Sequence, residues 1–449
     1  GWQNAGFNDR AWPAAMKVAP YGGGPWGKPA AADADFDLAE VCLLRAGDEP
    51  QLRPGTKWWA FKSANRSFWD WPKQGPAVLQ DEYPGPDVCD VRCAEVVDLT
   101  ACMHPDGTLD WQAPPGRWTI LRFGYTLQGQ RTRAGSTVGG YEADMLSSAG
   151  IECHFKNLAE PLLADAGDAV GRTLKFLHVD SYELGADIQG QQPTWSPDFR
   201  REFQTRRGYD LLRYLPAMAR RVVEGREVTD RFFWDVRATI GDLMAERFFA
   251  RFAELAHAHG VGMHSETGYG TYPHPHFDGL RCAGMSDVTM GEFWHGTDIM
   301  SQFDPFCNVI RSVASAAHVY GRRIVQAEAF TSWDHFIEHP FGLKALGDEA
   351  FCDGLNRMVF HQYTHQPRSD VVPGWQYGAG THIDRHITWW PMADAWFRYL
   401  ARCQYLLQSG RFHADVCYFY GEGATKYVPG RGHFRPALPS GCDCDCGNA

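Results

Sequence analysis

Residues Arg231–Glu266 read RFFWDVRATIGDLMAERFFARFAELAHAHGVGMHSE. Phe232, Phe233, Val236, Ile240, Leu243, Met244, Phe248, Phe249, Phe252 and Leu255 recur three and four residues apart. That spacing winds onto one face at 3.6 residues per turn and predicts a single amphipathic helix from Arg231 to about His259. Gly260 follows as the residue best able to leave the helix with positive φ. The next six residues, Val261–Glu266, form a short run that starts apolar and ends in an acid, and they predict a strand. Similar strand-like runs occur at Leu174–Asp180, Asp287–Glu292, Ile324–Glu328, Met358–His361 and Val416–Tyr420. Further helical patterns fall at Asp198–Arg207, after the start signal Ser196-Pro197, at Val309–Tyr320 and at Ala393–Leu407. Strands alternating with helices imply a parallel sheet with crossover helices. Over about 300 residues the best fit is a (β/α)8, TIM-like barrel, with a doubly wound open sheet as the alternative. The chain has no GxGxxG and no P-loop, which counts against a nucleotide-binding version of the open sheet.

Upstream the texture differs. Val88–Leu99 and Trp118–Tyr125 are short apolar stretches between turn signals such as Pro105-Asp106-Gly107, and Pro, Gly and Trp are frequent. This suits strands joined by turns. The expected organisation is therefore a β-rich, sandwich-like part at 1–128, which need not be complete at its start. A catalytic barrel would follow at 129–425, and then a tail at 426–449 that is a candidate for disorder. The tail carries Cys442, Cys444 and Cys446 at alternate positions. Alternate residues of an extended chain do not converge on a metal as a CxxC turn does, so the tail is read as structural or fortuitous.

Composition narrows the function. The chain has 449 residues, 44% hydrophobic and 22% charged, which is globular. Its net charge is -11, from 43 basic against 54 acidic residues, which disfavours a nucleic-acid partner. No apolar run reaches the roughly 18 residues of a membrane span, and Gly1–Trp12 has no signal-peptide pattern. The 13 cysteines are mostly isolated and fix neither compartment nor disulfides. The 17 tryptophans are many for this length. They serve either a large aromatic core or exposed faces that hold sugar rings.

The acids give the sharpest signal. Four successive candidate strands close on carboxylates, in His178-Val179-Asp180-Ser181-Tyr182-Glu183, His264-Ser265-Glu266, Gly291-Glu292-Phe293-Trp294 and Gln326-Ala327-Glu328. In parallel α/β folds the C-terminal strand ends gather on one face, which carries the active site. A lone buried carboxylate is unfavourable, so four in register point to function. Such a cluster supports acid/base cleavage of glycosides or binding of a hard cation, and the two can coexist. Histidines crowd the same region: His178, His264, His274, His276, His361 and His365. His361 and His365 have the spacing of a zinc pair. Gln362 stands where a metalloprotease helix would carry its Glu, so hydrogen bonding to sugar hydroxyls is the preferred role. No Gly-x-Ser-x-Gly elbow supports a serine hydrolase.

Longer motifs add a resemblance. Asp180–Glu183, Trp195-Ser196-Pro197-Asp198-Phe199, Arg206-Arg207-Gly208-Tyr209-Asp210, Ala327-Glu328-Ala329-Phe330-Thr331, His361-Gln362-Tyr363-Thr364-His365-Gln366-Pro367 and Arg402–Gly410 resemble the α-L-rhamnosidases of glycoside hydrolase family 106. The resemblance covers most of residues 110–420. It implies a catalytic barrel with β-sandwich domains, inverting hydrolysis of terminal α-L-rhamnosides of plant polysaccharides, and a calcium ion. It also implies a bacterial protein that is secreted or periplasmic. Glu183 and Glu328 become the expected catalytic pair, acid and base, with Asp180 and Glu292 as expected metal ligands. His178, His264, Glu266, Trp294, Trp333, His361 and His365 are the expected substrate contacts, the two tryptophans at the pocket rim. The expected partner is a rhamnose-containing glycan, with no nucleic acid and no membrane. The rival readings are a retaining glycosidase of other specificity and a non-catalytic carbohydrate-binding protein.

Overall fold

The computed structural model describes residues 40–45, 88–125, 143–180, 195–219, 221–267, 278–295, 309–332, 336–377, 380–419, 421, 428, 434 and 436–448. Two compact units divide the chain: residues 1–142 with 194–239, and residues 143–193 with 240–449.

In the first unit, strands β1 (Glu40–Arg45), β2 (Val96–Asp98) and β3 (Trp118–Phe123) form an antiparallel sheet in the order β2-β1-β3. Beside it, Trp111 and Trp118 meet edge to face at 5.6 Å, and Leu99 is the buried centre of a small cluster with Met103 and Leu109. The expected β character upstream is therefore present as a three-stranded sheet. The same unit holds a helix at Phe199–Arg207, one residue inside the predicted span. It buries Phe199 and Phe203, one turn apart, and ends at Gly208, whose φ of 81° only glycine adopts cheaply. Arg200 grips Asp210 through two hydrogen bonds of 2.9 and 2.5 Å, so this part of the recognised motif serves structure.

The second unit is built on a parallel, curled half-barrel sheet. Its strands are β4 (Phe176–Val179), β5 (Gly262–Glu266), β6 (Val288–Trp294), β7 (Val325–Thr331) and β8 (Arg357–Phe360), in the order β4-β5-β6-β7-β8. Each matches a predicted strand within a few residues. A doubly wound sheet would reverse its order at a switch point. This one runs monotonically, as a barrel wall does. Helices precede the strands they feed. We label these α1 (Arg251–Ala258) before β5, α2 (Gly279–Gly284) before β6, α3 (Val309–Val319) before β7 and α4 (Pro340–Cys352) before β8. A fifth, α5 (Ala393–Ser409), follows β8. The long helical pattern of Arg231–His259 exists but starts earlier, at Arg226, and widens into a π-helical turn over Met244–Ala250 before α1. Ala327, Ala329 and Phe330 of β7 pack with Leu343, Met358, Trp396 and Leu400 in the core beneath the sheet.

The predicted strand at 416–420 is present as β9 (Val416–Phe419). Among the described residues it does not join the five-stranded sheet. It pairs in parallel with β10 (Cys444–Gly447), which comes from the segment read as a tail. Cys444 and Cys446 face inward and pack with Leu280, Ala283 and Ala316. Arg311 of α3, 2% exposed, fixes the strand. Its guanidinium donates to Asp443 at 3.1 Å and to the Cys444 carbonyl at 3.0 Å, and on its other side to Asp353 at 3.0 Å.

Candidate active site

Strand register explains why the acids meet. His264 lies opposite His178, Glu266 opposite Met290, and Glu292 opposite Glu328. Residues two apart on a strand share a face, and so do lateral partners. His178 with Asp180, His264 with Glu266, Met290 with Glu292, Gln326 with Glu328, and Arg357 with His361 therefore line one side of the sheet, near its C-terminal edge. Glu266 is 1% and Glu292 5% exposed. Glu266, Glu292 and Glu328 bring carboxylate oxygens within 4.8 Å of one another, and His178, Asp180 and Glu266 form a second such group. The two expected metal ligands, Asp180 and Glu292, thus fall in different groups, joined through Glu266.

Glu328 is held from two sides. The Thr331 hydroxyl donates to its Oε1, and His361 Nδ1 lies 3.4 Å from the same oxygen. Thr331 reaches back because β7 is irregular there. Phe330 has φ of 65°, and the pairing with β6 slips by one residue at Phe293/Trp294. A bulge of this kind re-aims side chains beside active sites. Trp294, expected at the rim, is half-buried and pairs with Thr331.

Beneath the acids lies a histidine pair. The rings of His178 and His264 stack at 4.4 Å, with Nδ1 atoms 3.0 Å apart. The Gln326 amide lies 3.3 Å from His264 Nδ1, and Asp180 lies 3.4 Å from His178 Nε2. Burial, helped by His178 and Arg357, lowers the His264 pKa from 6.5 to about 4. His264 is therefore a neutral imidazole at neutral pH, able to accept one hydrogen bond and donate another.

Of the other expected residues, His365 is exposed and belongs to neither ligand group. Among the described residues, 361–377 form turns rather than a helix, so the i, i+4 zinc geometry does not arise. Glu183 and Trp333 lie outside the described residues, as do His274 and His276. Sequence reasoning missed Gln326, Thr331 and the loop after β8. Thr331 stood inside a quoted motif, three residues from Glu328, and could have been read as its partner. The loop offered no periodicity to read.

The donor set suits a hard cation. Glu266, Glu292 and Glu328 offer only oxygen, and calcium takes oxygen ligands at about 2.3–2.6 Å, so two of its ligands lie at most about 5 Å apart. The 4.8 Å spacing meets that limit. The other group includes an imidazole, a poorer ligand for calcium.

Comparison with known proteins points to a glycoside hydrolase. The alpha-L-rhamnosidase family of glycoside hydrolases, family 106, matches residues 73–449. A protein of Formosa agariphila described as "Putative beta-glucuronidase" is 36% identical over 425 residues, 90% of this chain and 35% of the relative. The structure of a rhamnosidase from Novosphingobium sp. PP1Y superposes with a TM-score of 0.66 at 31% identity, covering 80% of this chain and 34% of that one. The chain spans about a third of the length of both relatives.

Proposed function

The chain belongs to glycoside hydrolase family 106, the alpha-L-rhamnosidases, and from that premise we propose that it removes terminal α-L-rhamnose from plant glycans with inversion at the anomeric carbon. Carbohydrate is the substrate class of a glycoside hydrolase. The observation that carries the reading is the convergence of Glu266, Glu292 and Glu328 at the C-terminal edge of the parallel sheet.

In this mechanism Glu328 is the general base. It takes a proton from a water that attacks the anomeric carbon, while Thr331 and His361 hold its carboxylate in place. Glu183, assigned through the motif Asp180–Glu183, gives its proton to the departing glycosidic oxygen as the bond to carbon breaks. Water and substrate yield β-L-rhamnose and the free alcohol, and each carboxyl group ends with the other's charge state. Glu266 and Glu292 would hold the calcium ion the family implies, beside Glu328, and the chemistry of that ion is to bind and orient sugar hydroxyls. His264, as a neutral imidazole, bonds a hydroxyl of the bound sugar. The same reading extends the half-barrel to a closed (β/α)8 barrel with a sandwich before it, in a protein exported by a bacterium.

The Formosa relative's name suggests a glucuronide substrate instead. A uronic acid differs from the deoxy sugar rhamnose by a carboxylate, so the two substrates are readily told apart by assay. A panel of p-nitrophenyl glycosides tests the assignment: α-L-rhamnoside turnover is expected, and turnover of the β-D-glucuronide alone would overturn it. Proton NMR of the first sugar released should show the β anomer, whereas initial α anomer would indicate retention.

A further inference from the structure

Gln326 of β7 is buried, and its amide nitrogen meets two different partners. Nε2 lies 3.0 Å from the sulfur of Met290, its lateral neighbour on β6, and 3.3 Å from His264 Nδ1. A thioether carries no hydrogen and can only accept, so the amide atom that faces it is the NH2 group. Turned over, the amide would set its oxygen against the sulfur, lone pair to lone pair. Met290 therefore fixes which way round the amide sits, and the second N–H of that group is left for His264 Nδ1.

This contact decides the tautomer of His264. A ring nitrogen that faces an N–H donor must offer its lone pair, so Nδ1 is bare and the ring hydrogen sits on Nε2. His178 Nδ1, 3.0 Å from the same nitrogen, then turns its own hydrogen toward it. The opposite order has one contact in its favour. Asp180, 3.4 Å from His178 Nε2, would draw a hydrogen of His178 to that side and leave His178 Nδ1 to accept from His264. That order would also set the hydrogen on His264 Nδ1 against the Gln326 N–H, and a buried donor denied its acceptor is costly. With Nδ1 committed to protein donors, Nε2 is the nitrogen left for a ligand. Among the described residues it has no hydrogen-bond partner.

We propose that Gln326 is a positioning residue that holds His264 as its Nε2–H tautomer, so that His264 meets the sugar as a hydrogen-bond donor. This rests on the reading that His264 bonds a hydroxyl of the bound sugar. The carboxylates of Glu266, Glu292 and Glu328 on the same face accept hydrogen bonds and, when ionised, cannot donate them. A hydroxyl oxygen not held by a cation needs a donor, which those acids do not offer. His264 supplies one, and Gln326 keeps it in the form that can.

Protein isotope-labelled at the histidine ring nitrogens gives the test, since long-range proton–nitrogen correlation tells a protonated ring nitrogen from a bare one. The His264 signals are identified by their loss in His264→Ala. The wild type at neutral pH should show His264 with a bare Nδ1 and a protonated Nε2; a hydrogen on Nδ1 instead overturns the proposal, with no variant needed. Gln326→Met keeps the length of the side chain and removes the donor. It should turn the single tautomer into a mixture, and a spectrum unchanged from wild type would show that Gln326 does not set the form. On an α-L-rhamnoside, Gln326→Met should lower kcat/KM about three- to ten-fold, mainly through KM, as expected for weakening one hydrogen bond. In a His264→Ala background the same substitution should change kcat/KM by less than about two-fold, because a residue that acts through His264 then has nothing to act on. Equal losses in both backgrounds would make Gln326 a structural residue and overturn the proposal. Absence of turnover in the wild type would instead sink the glycosidase reading. L-rhamnose then takes the place of the substrate: a shift of the Nε2 signal on saturation supports the donor role, and no shift overturns it.

Discussion

Removing calcium should destabilise the protein, and the size of the effect follows from three carboxylates. The oxygens of Glu266, Glu292 and Glu328 lie within 4.8 Å of one another. At an effective dielectric of about 20, each like-charged pair at that distance repels by about 3.5 kcal/mol, or about 10 kcal/mol for the three pairs. That is as large as the whole stability of a typical domain, about 5–15 kcal/mol. Two of the three groups are almost wholly buried, so water screens them poorly, and a divalent cation among them would offset much of the repulsion. Calcium at about one hundred times its dissociation constant adds about 2.7 kcal/mol. At about 2–4 °C per kcal/mol, the melting temperature in millimolar calcium should exceed that in EDTA by about 5–10 °C. Glu292→Gln removes one charge and with it two of the three repulsive pairs, about 7 kcal/mol of repulsion. The variant should therefore melt no lower than the wild type in EDTA, and its calcium shift should shrink to about 2 °C or less. Differential scanning fluorimetry with and without chelator, beside elemental analysis, reads both effects. Equal melting temperatures in calcium and EDTA with no bound metal would refute the argument, as would a full calcium shift in Glu292→Gln.

Glu328→Gln should cut kcat on an α-L-rhamnoside by about 10³-fold or more with an unchanged circular dichroism spectrum, because acid/base groups contribute roughly 10²–10⁴; turnover near wild type would remove Glu328 from the mechanism. Glu183→Gln should do the same and, as the proposed acid, should lose least with leaving groups of low pKa; equal losses across leaving groups would argue against that role. Arg311→Leu should cost about 3–5 kcal/mol, since it strands Asp353 and Asp443 without their buried cation. Thermal unfolding checks the loss, and a change under about 1 kcal/mol would contradict the anchoring of β10. Burial, with Cys444 and Asp445 alongside, pushes the Cys446 thiol up to about 12. It should therefore resist alkylation at pH 8 in the wild type and react in Arg311→Leu. Peptide mapping reads this, and early labelling of Cys446 in the wild type would show that the strand is not seated.

The sequence alone determined the elements and their chemistry. The apolar stripe from Phe232 to Leu255 and the short runs ending in Glu266, Glu292 and Glu328 are local patterns, set by a period of 3.6 or 2 that neighbours in the chain enforce. They gave strands β4 to β9 and the face on which the acids lie. Tertiary structure decided which distant groups touch. The register that sets Glu292 beside Glu328 depends on hydrogen bonds between strands about 36 residues apart (328 − 292). The slip at Phe293/Trp294 that turns Thr331 onto Glu328 depends on the same pairing. Cys442–Cys446 read as a tail because alternating Cys and Asp carry no strand signal of their own. Parallel pairing with β9 makes that segment a strand, and the buried Arg311, more than 130 residues earlier, anchors it. Equally silent in sequence is the buried Gln366 amide, which bonds both the N–H and the carbonyl of Trp375, since Gln366, Gly374 and Trp375 share no period. Their contact arises where a turn-rich loop folds back on itself, and one buried amide can then satisfy two backbone groups at once.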